Sequence, residues 1–81
     1  MSTDFDPTKL RPAGEAAVWR AMGFIQAEVN PTAPEVAAVM TEFAVSDKWA
    51  RALLAWMTKA EWLTRTPDGQ TFRYSIGPAW L

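Results

Sequence analysis

"SDKWARALLAWMTKAEWLTRTPDGQTFRYSIG", residues 46 to 77, changes its period part-way along, and that change decides the fold. Ser46 can cap a helix, because its hydroxyl accepts from the free N–H groups of a first turn, and Asp47 then complements the positive end of the helix dipole. Apolar residues recur at helical spacing from there to about Ala60. Beyond Glu61 the pattern becomes two short runs rich in threonine and aromatic residues around Pro67, Asp68 and Gly69, which predicts a hairpin over 62 to 76. Alternation places Phe72, Tyr74 and Ile76 on one face of its second strand and Thr71, Arg73 and Ser75 on the other.

Two more helices precede this stretch. Pro12 is tolerated in a first turn, and Val18, Met22, Ile25 and Val29 follow at helical spacing with Trp19 beside them, predicting a helix over 12 to 29. Pro31 stops it by removing a backbone donor and disfavouring helix at Asn30. Thr32 and Glu35 have the spacing of a capping box, and the helix they open should bury Val36, Ala37, Met40 and Phe43. Residues 1 to 11, with Asp4, Asp6 and Pro7, read as a flexible arm able to dock by Phe5 and Leu10, leaving 12 to 81 as the domain. The order is helix, helix, helix, hairpin: a mostly α fold with a small β-hairpin.

At 100 degrees per residue the third helix has two faces. Ala50, Leu53, Leu54, Met57 and Ala60 form an apolar arc, with Trp49 and Trp56 along one edge. Lys48, Arg51, Ala52, Ala55, Thr58 and Lys59 form the other face, where small residues between cations let a partner approach closely. The two indoles have two readings. They cap the core against the first helix or the arm, as aromatic residues at helical spacing usually do, or they face a protein partner, since tryptophan is enriched at interface hot spots.

From Thr32 to Gly77 these residues resemble a winged helix-turn-helix domain, with residues 12 to 29 supplying the usual first helix. The resemblance rests on the third helix opening at Ser46, the apolar positions Ala50, Leu54 and Met57, the exit into Trp62 and Leu63, and the "DGQTFRYSIG" wing. Two features depart from the pattern: the connection "TEFAV" exceeds the tight glycine-bearing turn of simple helix-turn-helix proteins, and Glu61 stands where many members place glycine. The resemblance implies a third helix (46 to 60) in the major groove of double-stranded DNA and a wing against the adjacent backbone. On that footing Lys48, Arg51, Ala55, Thr58 and Lys59 line the recognition helix, and Arg65, Gln70 and Arg73 sit on the wing. Arginine could read guanine edges bidentately, while lysines neutralise phosphates.

Composition sets the limits on function. With 49% hydrophobic and 21% charged residues the chain should fold as one domain. Without cysteine or histidine there is no thiolate nucleophile and no usual zinc or iron site, no carboxylate pair or Ser-Lys arrangement stands out, and the four glycines are scattered. We therefore expect a non-enzyme without metal or cofactor. No apolar run approaches a membrane span, and the start "MSTDFDPTKLRP" lacks the features of a signal peptide, so the expected compartment is cytoplasmic. A net charge of -1 offers no global attraction to nucleic acid, so DNA binding must rest on a local patch. The expected function is a small DNA-binding protein, a transcriptional regulator or a replication or recombination accessory, acting as a homodimer or as adjacent copies. The alternative is a winged-helix adaptor or inhibitor that binds a protein through Trp49, Trp56 and Trp80, the last in the apolar tail "GPAWL".

Overall fold

A computed structural model describes residues 5–80, so Asp4 of the arm and Leu81 of the tail lie outside the described residues. Three helices, α1 (Pro12–Ala27), α2 (Ala33–Met40) and α3 (Asp47–Lys59), precede an antiparallel hairpin of β1 (Leu63–Asp68) and β2 (Thr71–Ile76). This is the winged-helix-like topology expected from the sequence. Short 3-10 turns occupy Pro7–Lys9, Thr41–Phe43 and Pro78–Trp80. None of the described helices is long and apolar enough to cross a membrane.

Local chemistry sets most boundaries. The capping box forms in full: Glu35 Oε1 accepts from the Thr32 backbone at 2.8 Å while the Glu35 N–H donates to Thr32 Oγ1 at 3.4 Å. These bonds hold the exposed Glu35 carboxyl below its ordinary value of 4.5. Ser46 caps α3 by accepting from the Trp49 N–H at 3.0 Å. The α3 arc closes the core as expected, with Ala50, Leu53, Leu54 and Met57 fully buried beside Val18, Val36 and Met40.

Two apolar assignments need correction. Helix α1 ends at Ala27, and Val29 is 90% exposed. The backbone turns extended at Glu28, and Asn30 then takes a left-handed φ of 46° before Pro31, which swings Val29 away from the stripe it continues in sequence. Phe43 is 37% exposed, because α2 gives way to a 3-10 turn after Met40 and the left-handed Ala44 (φ 63°) ends the helical path. The long "TEFAV" connection thus resolves into a tight turn followed by the buried Val45.

Glu61 does at the end of α3 what glycine does in many helices. Its φ is 67°, the Glu61 N–H donates to Thr58 O at 3.0 Å and the Trp62 N–H to Met57 O at 3.0 Å, which together make a Schellman motif. A left-handed non-glycine residue costs about 1–2 kcal/mol, here offset by two satisfied carbonyls. Gly77 then packs on this junction: its N–H donates to Trp62 O at 2.8 Å, and a Cβ at Gly77 would stand 2.3 Å from Glu61 O.

The hairpin turns at Gly69 and Gln70, one step later than the Pro67–Gly69 cluster suggests, with Gly69 supplying a positive φ of 64°. Pro67 lies within β1 opposite Phe72, tolerated because a two-stranded sheet leaves an unpaired edge. The hairpin is also anchored to the α1–α2 connection, where Thr32 forms a one-residue bridge with Arg73 and the Tyr74 N–H donates to Pro31 O at 2.9 Å.

From Phe5 onward the amino-terminal segment is packed rather than loose. Asp6 caps the first 3-10 turn through the Thr8 N–H at 3.0 Å, Pro7 is buried, and Leu10 is half-buried. Phe5 is only 7% exposed, its ring 5.3 Å from that of Trp56 and 5.0 Å from that of Trp62. Burying a phenylalanine is worth about 1.5–3 kcal/mol, enough to order a short segment that a charge pattern alone marks as solvated.

Candidate nucleic-acid interface

Helix α3 uses one side for the core and leaves the other uncovered. Lys48, Arg51, Ala52, Ala55 and Lys59 are all exposed on that outer side. Lys48 and Lys59 make no ion pair among the described residues, whereas Arg51 Nε donates to Asp47 Oδ2 at 2.8 Å one turn earlier. Both partners of that pair are about half exposed, so it is worth only a few tenths of a kcal/mol, and a phosphate can replace the carboxylate. Thr58 contributes less than its spacing implies: it is half-buried, and its hydroxyl donates to Leu54 O at 2.7 Å.

The wing residues divide differently. Gln70 stands exposed at the hairpin tip. Arg65 pairs across the sheet with Tyr74, and its guanidinium lies over the Phe72 ring, 4.4 Å from the centroid, so the cation is held against an aromatic face while remaining exposed. Arg73 is exposed but engaged within the chain: Nε donates to Asp68 Oδ2 at 2.6 Å, and Nη1 donates to Asn30 O at 2.9 Å. Its guanidinium joins the wing to the α1–α2 connection, a role that the sequence reading of Arg73 as a free contact misses.

Helix and wing approach each other at Tyr74. Burial pushes its phenol up from the ordinary value of 10.0, while first Arg65 and then Arg51 pull it the other way. One buried tyrosine therefore has a guanidinium from each element in its vicinity, Arg65 from the wing and Arg51 from α3.

The two disputed indoles flank the amino-terminal segment. Trp56 packs on Phe5, Trp49 lies beside Leu10 and Gly14, and each keeps about two fifths of its surface exposed (41% and 42%). Each ring is thus packed on one side against the amino-terminal segment and open to solvent on the other. Trp80 belongs to the Trp56 side. Its ring lies 5.2 Å from Trp62 and 6.3 Å from Trp19, so Trp56, Phe5, Trp62, Trp19 and Trp80 form a continuous aromatic cluster. Trp19 and Trp62 were not among the sequence candidates for this surface, since 43 positions separate them and only the packing of α1 against the α3 exit joins them.

Lys9 and Arg11 were likewise unassigned. They line an open groove of about 520 Å³ with Leu10, Gly14, Ser46 and Trp49, at the amino-terminal end of α3. The only signal for this in the sequence is the pair Phe5 and Leu10, whose docking carries Lys9 between them and Arg11 just after them to α3.

No protein-family model, curated protein or solved structure matches this chain.

Proposed function

We propose that this protein is a small non-enzymatic winged-helix module that binds duplex DNA, with α3 in the major groove and the hairpin along the neighbouring backbone. One observation carries the reading: α3 leaves uncovered a face on which Lys48, Arg51 and Lys59 alternate with Ala52 and Ala55, beside an anchored hairpin that carries Arg65. Small residues admit the groove edges, and the cations neutralise phosphates or, for Arg51, meet a guanine edge. A module this small buries limited DNA surface, so two copies on adjacent half-sites would supply useful affinity. Regulation of transcription, or service in replication or recombination, would follow from where those sites lie.

The test is an electrophoretic shift on duplex DNA across a salt series. The paired substitution Lys48→Ala, Lys59→Ala should weaken binding and reduce the slope of log K against log[salt] by about 1.8, two phosphate contacts at roughly 0.9 each. Absence of any shift at low salt would sink the proposal. Arg73→Ala is a poor probe, since it also detaches the wing from Asn30.

A second reading has its own support. The exposed parts of Trp19, Trp56 and Trp80 lie along one connected aromatic cluster, the kind of anchor that protein interfaces favour. On this reading the module is an adaptor or inhibitor. Light scattering and a pulldown with Trp56→Ala and Trp80→Ala would test it; a monomer without a protein partner speaks against it.

A further inference from the structure

We infer that the groove at the amino-terminal end of α3 is a second contact site for the DNA backbone, in which Lys9 and Arg11 neutralise phosphates and the indole N–H of Trp49 donates to one. The inference rests on the duplex-DNA reading and extends it to a segment that the winged-helix pattern does not include.

Three observations point to a polyanion as the occupant. First, the groove is open and about 520 Å³ in volume, formed where the first 3-10 turn and the start of α1 face the α2–α3 turn. Its two charged lining residues are both cations, and neither makes an ion pair among the described residues. The acids close by in sequence already have hydrogen-bond donors of their own: Asp6 accepts from Thr8 N and Thr8 Oγ1, with Lys9 near enough to add to the lowering of its carboxyl, Glu15 accepts from the Trp19 indole, and Asp47 accepts from Arg51 Nε. Second, the Trp49 indole nitrogen lies in the groove beside Gly14 and makes no hydrogen bond among the described residues, whereas the Trp19 indole donates to Glu15 at 3.3 Å. Two cations and an unengaged N–H, with no carboxylate among them, complement phosphate oxygens. Third, the groove is continuous with the outer face of α3. Trp49 lines it, and the exposed Lys48 and Ala52 are the neighbours of Trp49 on the same helix, so a backbone laid on the α3 face would have the groove at its edge.

Neither cation holds the fold together. Arg11 precedes α1 without a side-chain capping bond, and both side chains are exposed, so the substitution Lys9→Gln, Arg11→Gln should leave the melting curve in place. Fluorescence anisotropy with a labelled random duplex, titrated at several salt concentrations, should then show a slope reduced by about 1.8, matching the loss of two phosphate contacts. Trp49→Phe keeps the ring and removes the donor; it should bind about three- to tenfold more weakly with the slope unchanged, the net worth of one hydrogen bond. If the parent binds and Lys48→Ala, Lys59→Ala lowers the slope while Lys9→Gln, Arg11→Gln does not, the groove is excluded and the α3 interface stands. A Trp49→Phe variant that binds as tightly as the parent removes the indole from the site. Failure of the parent to bind duplex at low salt overturns both readings together.

Discussion

Helix α3 and the hairpin carry the same kind of charge and use it in opposite ways. The lysines of α3 extend from a helix whose stability comes from the buried arc behind them, so nothing in the fold depends on their ammonium groups. The arginines of the hairpin are structural first. A two-stranded hairpin is at best marginally stable alone, and this one is held by Arg73 reaching Asn30 O and by Arg65 lying over Phe72. The difference teaches that a cation counts toward a binding surface only after its internal partners have been subtracted.

The largest effect should come from disturbing the hairpin's seat. Gly77→Ala places a methyl group against the backbone at Glu61, Trp62 and Leu63, and backbone cannot yield as a flexible side chain can. We expect a loss of about 3 kcal/mol, seen in thermal melts as a fall of roughly 12 °C or more. Melting close to the parent value would mean that the carboxy-terminal segment is not clamped on this junction.

Arg73→Ala should cost about 1 kcal/mol, because its two charge-assisted bonds are half exposed. Arg65→Ala should cost about 0.5–1 kcal/mol through the lost cation–π contact. Urea midpoints for the two variants, set beside Lys48→Ala and Lys59→Ala, test the contrast directly. The lysine variants should stay within about 0.5 kcal/mol of the parent, and an equal loss in all four would erase the distinction between helix and wing.

A smaller effect should appear with pH at the wing's anchor. The Glu35 carboxyl is held low by its bonds to Thr32, the residue that bridges to Arg73, so its contribution is complete above the ordinary value of 4.5 and disappears as pH falls through the lower folded value. Glu35→Gln removes the titration while retaining an oxygen acceptor. The stability gap between parent and variant should therefore close as the solution is taken below about pH 4.5; a gap that stays constant would assign the capping box no electrostatic part.

Features that depend on neighbours in sequence were legible in advance. The caps at Thr32 and Ser46 and the buried arc from Ala50 to Ala60 follow from side chains within a turn of one another. Val29 and Phe43 were misassigned because hydrophobic periodicity runs on past Ala27 and Met40, where the α-helices end just ahead of the left-handed Asn30 and Ala44. At the site, the exposure of Lys48, Arg51, Ala55 and Lys59 was legible from helical phase. The engagement of Arg73 was not, since one of its acceptors lies 43 residues away. Nor was the placement of Lys9 and Arg11, which depends on Phe5 finding a slot between Trp56 and Trp62. A single phenylalanine in a short polar segment gives no periodicity to read.

The bonds from β2 back to residues 30–32 have one more consequence. They make the hairpin the fixed jaw of a pair of calipers, with α3 as the other jaw, since both are tied to the same three-helix body. A ligand surface whose two contact lines match that opening meets both jaws without first having to immobilise either, and so forfeits little entropy on docking. A surface with a different spacing can touch only one. On the proposed duplex-binding reading, selection by gauge, set before any individual side chain is read, would follow from the way Asn30 and Pro31 hold the second strand.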